Sequence, residues 1–352
     1  MVQTITMSIR IYPEYINLLE QQSEEYVKTV NSIVDHAIEV GAFPTWTTKN
    51  VKANLPSAVC NQAIRDAKSV FSKFKKQKIR SVLKKPVYYV NNQNYKIGDE
   101  SLSFPVMKEG KSKRIICKAF ISSRDQSLLQ DVKMGMMRII QKSNKWFAQI
   151  SITKITPTNH GEKIIGIDLG LKVPAVAVTD DNKTRFFGNG RENKYMKRKF
   201  RSKRKELGKK KKLNAIRNLN HKEQRWMKDK DHKVSRQIIN FAVKNEVSTI
   251  RLEKLTNIRN STRTSRKNEK NLHTWSFYRL AQCIEYKANL TGIKVEYVNP
   301  KYTSQTCPVC KKLNKAKDRL YACICGFHSH RDRVGAINII HAPVVDGKSL
   351  SA

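Results

Sequence analysis

Long apolar runs and acidic residues are scarce in this sequence of 352 residues. No run reaches the roughly 20 apolar residues that a membrane-spanning helix needs, and the N-terminus "MVQTITMSIR" does not resemble a signal peptide. We therefore expect a cytoplasmic protein without a membrane partner. Only 29 residues are acidic against 69 Lys and Arg, a formal charge of +40. Because such an excess repels itself unless a polyanion neutralises it, we expect a nucleic-acid partner and nucleoid association. An anionic membrane surface is the second candidate, and the lack of a spanning run and of a signal-like N-terminus disfavours it.

Cysteine is also infrequent, and its distribution excludes a disulfide framework. Four of the seven cysteines fall within residues 307–325, whereas the others are scattered: Cys60, Cys117 and Cys283. The clustered residues form one C-x-x-C pair and one tighter C-x-C pair: Cys307 and Cys310, then Cys323 and Cys325. Four thiolates can hold a tetrahedral Zn²⁺, although His328 or His330 could replace one ligand. A site with four sulfur ligands has no open position, so the predicted zinc is structural.

Hydrophobic periodicity divides the chain into two halves. Apolar residues recur at helical intervals over about 14–40 and again over 55–76, and residues 86–155 contain β-rich pieces separated by polar turns. The first half is thus predicted to be a small β-barrel or sheet, completed by an N-terminal strand and interrupted by helices. In the second half, "KIIGIDLG", "PAVAVTD" and "TRFFG" are predicted strands, followed by helices alternating with the strands "STIRLEKL" and "KVEYVNP". Three consecutive strands and then alternating helices and strands are the order of a ribonuclease H-like core.

Three acids stand in apolar surroundings in this second half. Asp168 ends the first strand, Glu253 lies in a later strand, and Asp332 starts an apolar helix near the C-terminus. Burying a lone carboxylate costs several kcal/mol unless something pairs with it. Carboxylates that converge can hold Mg²⁺, and two such ions can activate water and stabilise the leaving oxygen of a phosphodiester. The three acids therefore predict a nuclease site.

A phosphate-binding loop is the alternative interpretation of "GIDLG", which is similar to the first loop of actin-like sugar kinases and chaperone ATPases. Those proteins usually continue with Thr or Ser, whereas Leu171 and Lys172 follow here. They also need a second acidic, glycine-rich loop, and none is visible among only 14 glycines. A charge of +40 suits a small nucleotide poorly, so the sequence favours the nuclease.

A strongly basic run occupies residues 191–236, with 20 Lys and Arg against five acidic residues. Most charge runs are solvated helical faces. Because this one lies between structured segments, contains Trp226 and adds to an already basic chain, we favour contact with nucleic acid. The candidate contacts are its densest lysines and arginine: Lys203, Arg204, Lys209, Lys210, Lys211 and Lys212.

Taken in order, "GIDLG", "LEKL", "NPKYTSQTCPVC" and "CGFHSHRDRVGAINI" resemble the TnpB (OrfB) family of transposon-encoded RNA-guided DNA endonucleases, which is related to type V CRISPR effectors. Weaker similarity in "IRIYP" and "LPSAVCNQAIRDAKSVFSKF" extends the resemblance over nearly the whole chain. It implies an α/β and α+β multidomain fold: a wedge-type β-barrel with a helical recognition insertion, then a RuvC-like nuclease domain with an inserted zinc-binding target-strand module. The implied boundaries are 1–12 and 84–158 (barrel), 13–83 (recognition), 159–302 and 327–352 (nuclease), and 303–326 (zinc module).

The same resemblance implies partners and site residues. By motif match, Asp168, Glu253 and Asp332 would bind two Mg²⁺ ions, with Mn²⁺ as an alternative, and the four clustered cysteines would hold Zn²⁺. A guide RNA from the transposon end and double-stranded DNA with a short flanking motif would be the partners of a prokaryotic monomer. One site would cut both strands in turn, beneath a lid formed around residues 256–271.

The sequence leaves two other functions open. Guided DNA-binding repressors descended from such nucleases typically lose one or more of the acids, and this sequence retains all three. A resolvase or transposase acting without RNA would usually be smaller and lack the first half. Bound RNA distinguishes the guided functions from the unguided one, and Asp168→Ala distinguishes the nuclease from the repressor.

Overall fold

The computed structural model describes residues 2–255 and 277–346, without the side chains of residues 220, 221 and 346. The predicted lid around residues 256–271 lies outside these ranges. The chain forms two compact units, residues 2–155 and the residues from Thr156 onward. Within the two described ranges, no helix is both long enough and apolar enough to cross a lipid bilayer.

The first unit is built on seven antiparallel strands with order β2-β6-β7-β1-β5-β4-β3. Its elements in chain order are β1 (Val2–Tyr12), α1 (Ile16–Val40), α2 (Ser57–Gln77), β2 (Tyr88–Val90), β3 (Lys96–Ile97), β4 (Ser101–Lys108), β5 (Lys111–Phe120), α3 (Ser123–Leu129), β6 (Lys133–Lys142) and β7 (Lys145–Ile155). The N-terminal strand lies between β7 and β5, which confirms that it completes the sheet. It is longer than the predicted "MSIRIYP".

Two tyrosines show that this sheet is curled. The hydroxyl of Tyr88, in edge strand β2, donates to the carbonyl of Pro105 in β4 at 2.7 Å. The hydroxyl of Tyr95, just before β3 at the other edge, donates to the carbonyl of Gly135 in β6 at 2.7 Å. The two edges thus approach each other around an apolar core, while the strand pairing itself is that of an open sheet.

The two predicted helices of the first unit pack on each other. On α1 the buried side chains recur at helical spacing, as on α2, so each helix buries one apolar face. Across this contact the hydroxyl of Tyr26 donates to the carboxylate of Asp66 at 2.7 Å. Burial of Tyr26, with the nearby Asp66 charge, raises the pKa of this phenol far above its ordinary value, so the hydroxyl stays a donor.

The second unit contains a mixed six-stranded sheet with order β10-β9-β8-β11-β12-β15. The elements of the unit are β8 (Lys163–Asp168), β9 (Ala175–Thr179), β10 (Thr184–Phe187), α4 (Gly190–Lys209), α5 (Leu213–Lys244), β11 (Val247–Glu253), α6 (Phe277–Leu290), β12 (Lys294–Val298), β13 (Leu320–Ala322), β14 (His328–His330), α7 (Arg331–His341) and β15 (Val344–Asp346). Strands β13 and β14 pair with each other in a separate two-stranded sheet. Strands β8, β9 and β10 are antiparallel, and β11 and β12 run parallel to β8. Up to β12, the order of elements along the chain is the one that the sequence predicted, whereas β13, β14 and β15 were not predicted.

Candidate active site and metal centre

Asp168 and Glu253 lie at the carboxyl ends of neighbouring parallel strands. In the register between β8 and β11, Ile167 pairs with Leu252, so the next residue of each strand is an acid. The apolar residues before them are fully buried in the core of the sheet, which fixes where both strands end. The sheet therefore presents two carboxylates side by side at one edge.

Asp332 reaches the same edge from the first turn of α7. The ring nitrogen Nδ1 of His330 accepts from the backbone N–H of Asp332 at 3.2 Å and caps this helix. Two glycines let α7 lie directly on β8. A Cβ on Gly166 would be 2.1 Å from the carbonyl oxygen of Ala336, and a Cβ on Gly335 would be 2.9 Å from Oδ2 of Asp168. The close approach of helix and strand thus depends on the absence of both side chains.

The three acids influence one another electrostatically. Burial, followed by the charges of Glu253 and Asp332, raises the pKa of Asp168 well above its usual range, although the nearby Arg331 and Arg319 oppose this. Burial also raises the pKa of Glu253, and its hydrogen bond from Thr303 works in the other direction. The protein's own arginines therefore leave the negative charge of this cluster only partly compensated.

Asp332 shows which part of the cluster lacks a partner. Only 6% of the residue is exposed, and its Oδ1 accepts from the guanidinium of Arg319. Its Oδ2 is buried with no hydrogen-bond partner among the residues described. A buried carboxylate oxygen without a donor is unfavourable unless a cation binds it. Oxygen ligands on three converging acids are the donor set that Mg²⁺ and Mn²⁺ prefer, so these residues fit such an ion.

Sequence reasoning missed three residues that support the acids. Arg319, from the loop between the cysteine pairs, forms the ion pair with Asp332. The hydroxyl of Thr303 donates to Oε1 of Glu253, and the amide of Asn338 on α7 donates to the carbonyl of Thr303 at 2.6 Å. Charged or hydroxyl side chains near predicted ligands are too common in sequence to be selected without the fold.

The four clustered cysteines form a single group, as predicted. Their sulfurs all lie within 4.8 Å of one another, with Cys307 to Cys325 at 3.7 Å and Cys310 to Cys323 at 3.5 Å. A tetrahedral Zn²⁺ with Zn–S distances of about 2.3 Å separates its ligands by about 3.8 Å, so the group fits this ion. The tight C-x-C pair fits because each of its cysteines faces a different member of the first pair. Among the residues that the structure describes, the three carboxylates are not grouped as closely as these sulfurs.

The pKa values of the clustered thiols move in opposite directions: that of Cys307 is lowered, whereas burial and hydrogen bonds with the other sulfurs raise that of Cys323 to about 12. Desolvation alone would raise the pKa of Cys307, but hydrogen bonds from the backbone N–H groups of Cys310 and Val309 help to lower it to about 7. Tyr321 and Val334 are buried with the cysteines in a small apolar cluster. This cluster is far smaller than the core of either unit.

The basic run forms two long helices joined by a lysine turn. Lys209 ends α4, and the next three lysines connect it to α5, with all four side chains exposed: Lys209, Lys210, Lys211 and Lys212. Lys203 is exposed on α4, whereas Arg204 is half-buried and forms an ion pair with Glu223 of α5. Lys210 lies 3.0 Å from Glu206 one turn earlier. The turn and Lys203 are thus accessible to a polyanion, and Arg204 joins the two helices.

Comparison with known families matches two segments of the chain. Residues 147–259 match the family model OrfB_IS605, described as "Probable transposase", and residues 277–339 match the Cas12f1-like TNB domain. The first segment contains Asp168 and Glu253, and the second contains Asp332 and the four cysteines. These matches confirm the resemblance to the TnpB (OrfB) proteins and to type V CRISPR effectors.

Individual relatives match longer parts of the chain. The CRISPR-associated endodeoxyribonuclease Cas12f1 of Sulfoacidibacillus thermotolerans is 27% identical over 362 residues, covering 90% of this chain and 83% of the relative. A TnpB-like protein of Methanocaldococcus jannaschii, MJ0751, is 40% identical over 121 residues, or 34% of this chain and 43% of that protein. Among solved structures, the Cas12f1 chain of a Cas12f1–sgRNA–target DNA complex superposes with a TM-score of 0.67 at 18% identity, covering 92% of this chain and 81% of that one. This last match shows a shared fold.

Proposed function

From the relation of this chain to the TnpB (OrfB) proteins and the Cas12f nucleases, we propose that it is an RNA-guided endonuclease of double-stranded DNA, associated with a mobile element. The observation that carries the proposal is the convergence of Asp168, Glu253 and Asp332 at one sheet edge, with an oxygen of Asp332 buried and unpartnered among the described residues. The relative from Sulfoacidibacillus is named as an endodeoxyribonuclease, which agrees with a phosphodiester-cleaving site.

In the proposed site the three carboxylates bind two Mg²⁺ or Mn²⁺ ions. When bound, such ions supply an activated water and stabilise the leaving oxygen of the phosphodiester. The strand ends hold Asp168 and Glu253 in fixed positions, and α7 brings Asp332 against them. Arg319 keeps the Asp332 carboxylate oriented through Oδ1 and leaves Oδ2 for a cation. This geometry requires ionised acids, and a cation beside Asp168 would bring its raised pKa back down.

The four cysteines are proposed to hold a structural Zn²⁺. Four thiolate ligands occupy every position of a tetrahedral ion and leave none for water or substrate. The proposed role is therefore to fold residues 303–326 into a zinc module against α7, where Val334 joins its apolar cluster.

Guide RNA and target DNA are the proposed partners. Base pairing reads sequence in guided nucleases, so the protein needs mainly a basic surface for an RNA–DNA hybrid and a limited base contact to the flanking motif. The lysine turn Lys209–Lys212 and Lys203 offer exposed charge of this kind. Because neutralising phosphates releases counterions, the affinity for RNA is expected to fall steeply with salt.

The domain arrangement is proposed on the same relation. The curled sheet of the first unit is proposed as a wedge-type barrel, with α1 and α2 as its recognition insertion. The mixed sheet of the second unit, with its acids at one edge, is proposed as a RuvC-like domain. We propose that the protein acts as a monomer on DNA in the prokaryotic cytoplasm.

The test is to express the protein with its native flanking DNA, purify it and sequence the bound RNA. The complex is then given a plasmid library with a randomised flank in Mg²⁺, beside Asp168→Ala. A discrete RNA and Mg²⁺-dependent cutting that the variant lacks are the expected result. Target binding without cutting by either protein would indicate a guided repressor, and the absence of RNA would indicate an unguided resolvase or transposase.

A further inference from the structure

The short turn between β12 and the first cysteine contacts two of the three acid-bearing elements. Thr303 is only 6% exposed, and its hydroxyl donates to Oε1 of Glu253 at the end of β11. The hydroxyl also lies 3.2 Å from the carbonyl of Pro300, but a carboxylate is the stronger acceptor. We propose that Thr303 is a positioning residue for Glu253, and that residues 303–306, the first residues of the zinc module, link its cysteines to the metal-binding acids. This rests on the proposed function.

Asn338 fastens the same turn to the helix that carries Asp332. Its side-chain nitrogen donates to the carbonyl of Thr303 at 2.6 Å and to the carbonyl of Thr306 at 2.7 Å. Both N–H groups of one amide are thereby used on one turn. Since Asn338 and Asp332 belong to the same helix, the turn that orients Glu253 is held by the helix that supplies the third acid.

The cysteines of the zinc module follow directly on this turn. Thr306 precedes the ligand Cys307, and the two are held by backbone bonds to Tyr302 at 3.0 Å and to Lys312 at 2.9 Å. On its other side the module packs on α7 through Val334, which is fully buried with Cys307 and its neighbours. The position of Thr303 is therefore fixed from both ends, by α7 and by the folded module.

The hydrogen bond has a defined consequence for metal binding. A donor on Oε1 fixes the plane of the Glu253 carboxylate, so that its other oxygen is held in one direction. Partners of this kind orient the ligands of a metal site, and their removal typically weakens metal affinity by about 10- to 100-fold. Thr303→Val, which removes the hydroxyl at nearly constant volume, should therefore weaken metal binding by about 10-fold.

The test measures Mn²⁺ binding by calorimetry on the purified full chain with its bound RNA and no target DNA. Thr303→Val is compared with two variants. Thr303→Ser keeps the donor, and Thr306→Val removes a hydroxyl that donates to the carbonyl of Tyr302 within the same turn. The expected result is about 10-fold weaker binding for Thr303→Val and wild-type binding for the other two variants. Cleavage by Thr303→Val should then recover at high Mn²⁺. Equal affinity of Thr303→Val and Thr306→Val would overturn the proposal.

Two controls separate this proposal from others. Zinc content and RNA binding show whether Thr303→Val is folded. If it is not folded, Asn338→Ser tests the link between residues 303–306 and the acids instead. Weakened Mn²⁺ binding by Asn338→Ser supports this link, and unchanged binding overturns it. If the wild type and Asp168→Ala bind Mn²⁺ alike, the proposed nuclease site itself fails. If those two differ while Thr303→Val binds like the wild type, only the positioning role fails.

Discussion

Because a Cβ on Gly335 would meet the carboxylate of Asp168, we predict that Gly335→Ala reduces cleavage and leaves the stability of the protein nearly unchanged. Gly335 lies within α7, where alanine is favoured over glycine by about 1 kcal/mol. Its added Cβ would lie 2.9 Å from Oδ2 and 3.2 Å from Cγ of Asp168. Since the optimal separation of nonbonded atoms is about 3.5–4.0 Å, the carboxylate must move by about 0.5–1 Å.

The expected changes in stability and in cleavage rate follow from the displacement of the Asp168 carboxylate. Overpacking costs about 1–3 kcal/mol in a core, but here the displaced atoms are the end of one side chain, so the lower figure applies and the helix preference offsets it. The free energy of unfolding of Gly335→Ala should thus stay within about 1 kcal/mol of the wild type. A displacement of about 1 Å in a catalytic group can reduce the rate by about 100-fold, so we expect cleavage to fall by about 10- to 100-fold.

The assay is single-turnover cleavage with denaturant unfolding of the same preparations. Gly208→Ala is the matched control, because Gly208 is also helical and its Cβ would meet nothing closer than Ile216 Cδ1 at 3.8 Å among the described residues. Gly166→Ala is the opposite control, because its Cβ would strike the backbone carbonyl of Ala336 and lower stability. Wild-type cleavage by Gly335→Ala, or a decrease in stability like that of Gly166→Ala, would contradict this prediction.

Three further predictions concern the charges and the metal sites. The raised pKa of Asp168 means that the folded metal-free protein binds a proton more readily than the unfolded chain, so its stability should fall as pH rises through that pKa. Asp168→Asn should therefore raise the melting temperature of the metal-free protein at neutral pH, with the difference vanishing near the ordinary pKa of 3.8; an equal difference at both pH values would contradict this. Cys310→Ser should lower the zinc content, measured by atomic absorption, and the melting temperature, measured by thermal unfolding. An unchanged zinc content would exclude the four-sulfur site. Changing Lys209–Lys212 to alanine should weaken RNA binding. The slope of log affinity against log salt should fall by about 0.7 for each phosphate that these lysines neutralise in the wild type. An unchanged slope would show that this turn does not contact the RNA.

Much of the second unit could be predicted because its signals are local. A carboxylate at the end of an apolar strand is conspicuous, and the spacing of four cysteines predicts that their sulfurs form one group, as the structure shows. The first unit is harder to predict, and its strand β6 is not evident in the sequence because Gly135 and a register shift between Met134 and Met137 break its alternation. Its hairpin with β7 turns at Ser143 and Asn144, which have φ values of 52° and 57°, and only Asn is typical of such a position.

The supporting residues of the site could not be predicted, because their roles exist only between elements distant in sequence. Gly335 is important because it leaves room for the carboxylate of Asp168, which lies on another element. Thr303 is important because it donates to Glu253, which lies 50 residues earlier. Arg319 shows the same dependence, and its contact shows that a chain with a charge of +40 still leaves part of the acid cluster uncompensated. Its guanidinium satisfies one oxygen of Asp332 and leaves the other buried without a partner in the described part of the chain, while the pKa of Asp168 stays raised despite the arginines nearby. Under the proposed function, the excess positive charge contacts nucleic acid at the surface, and the acids bind their own divalent ions.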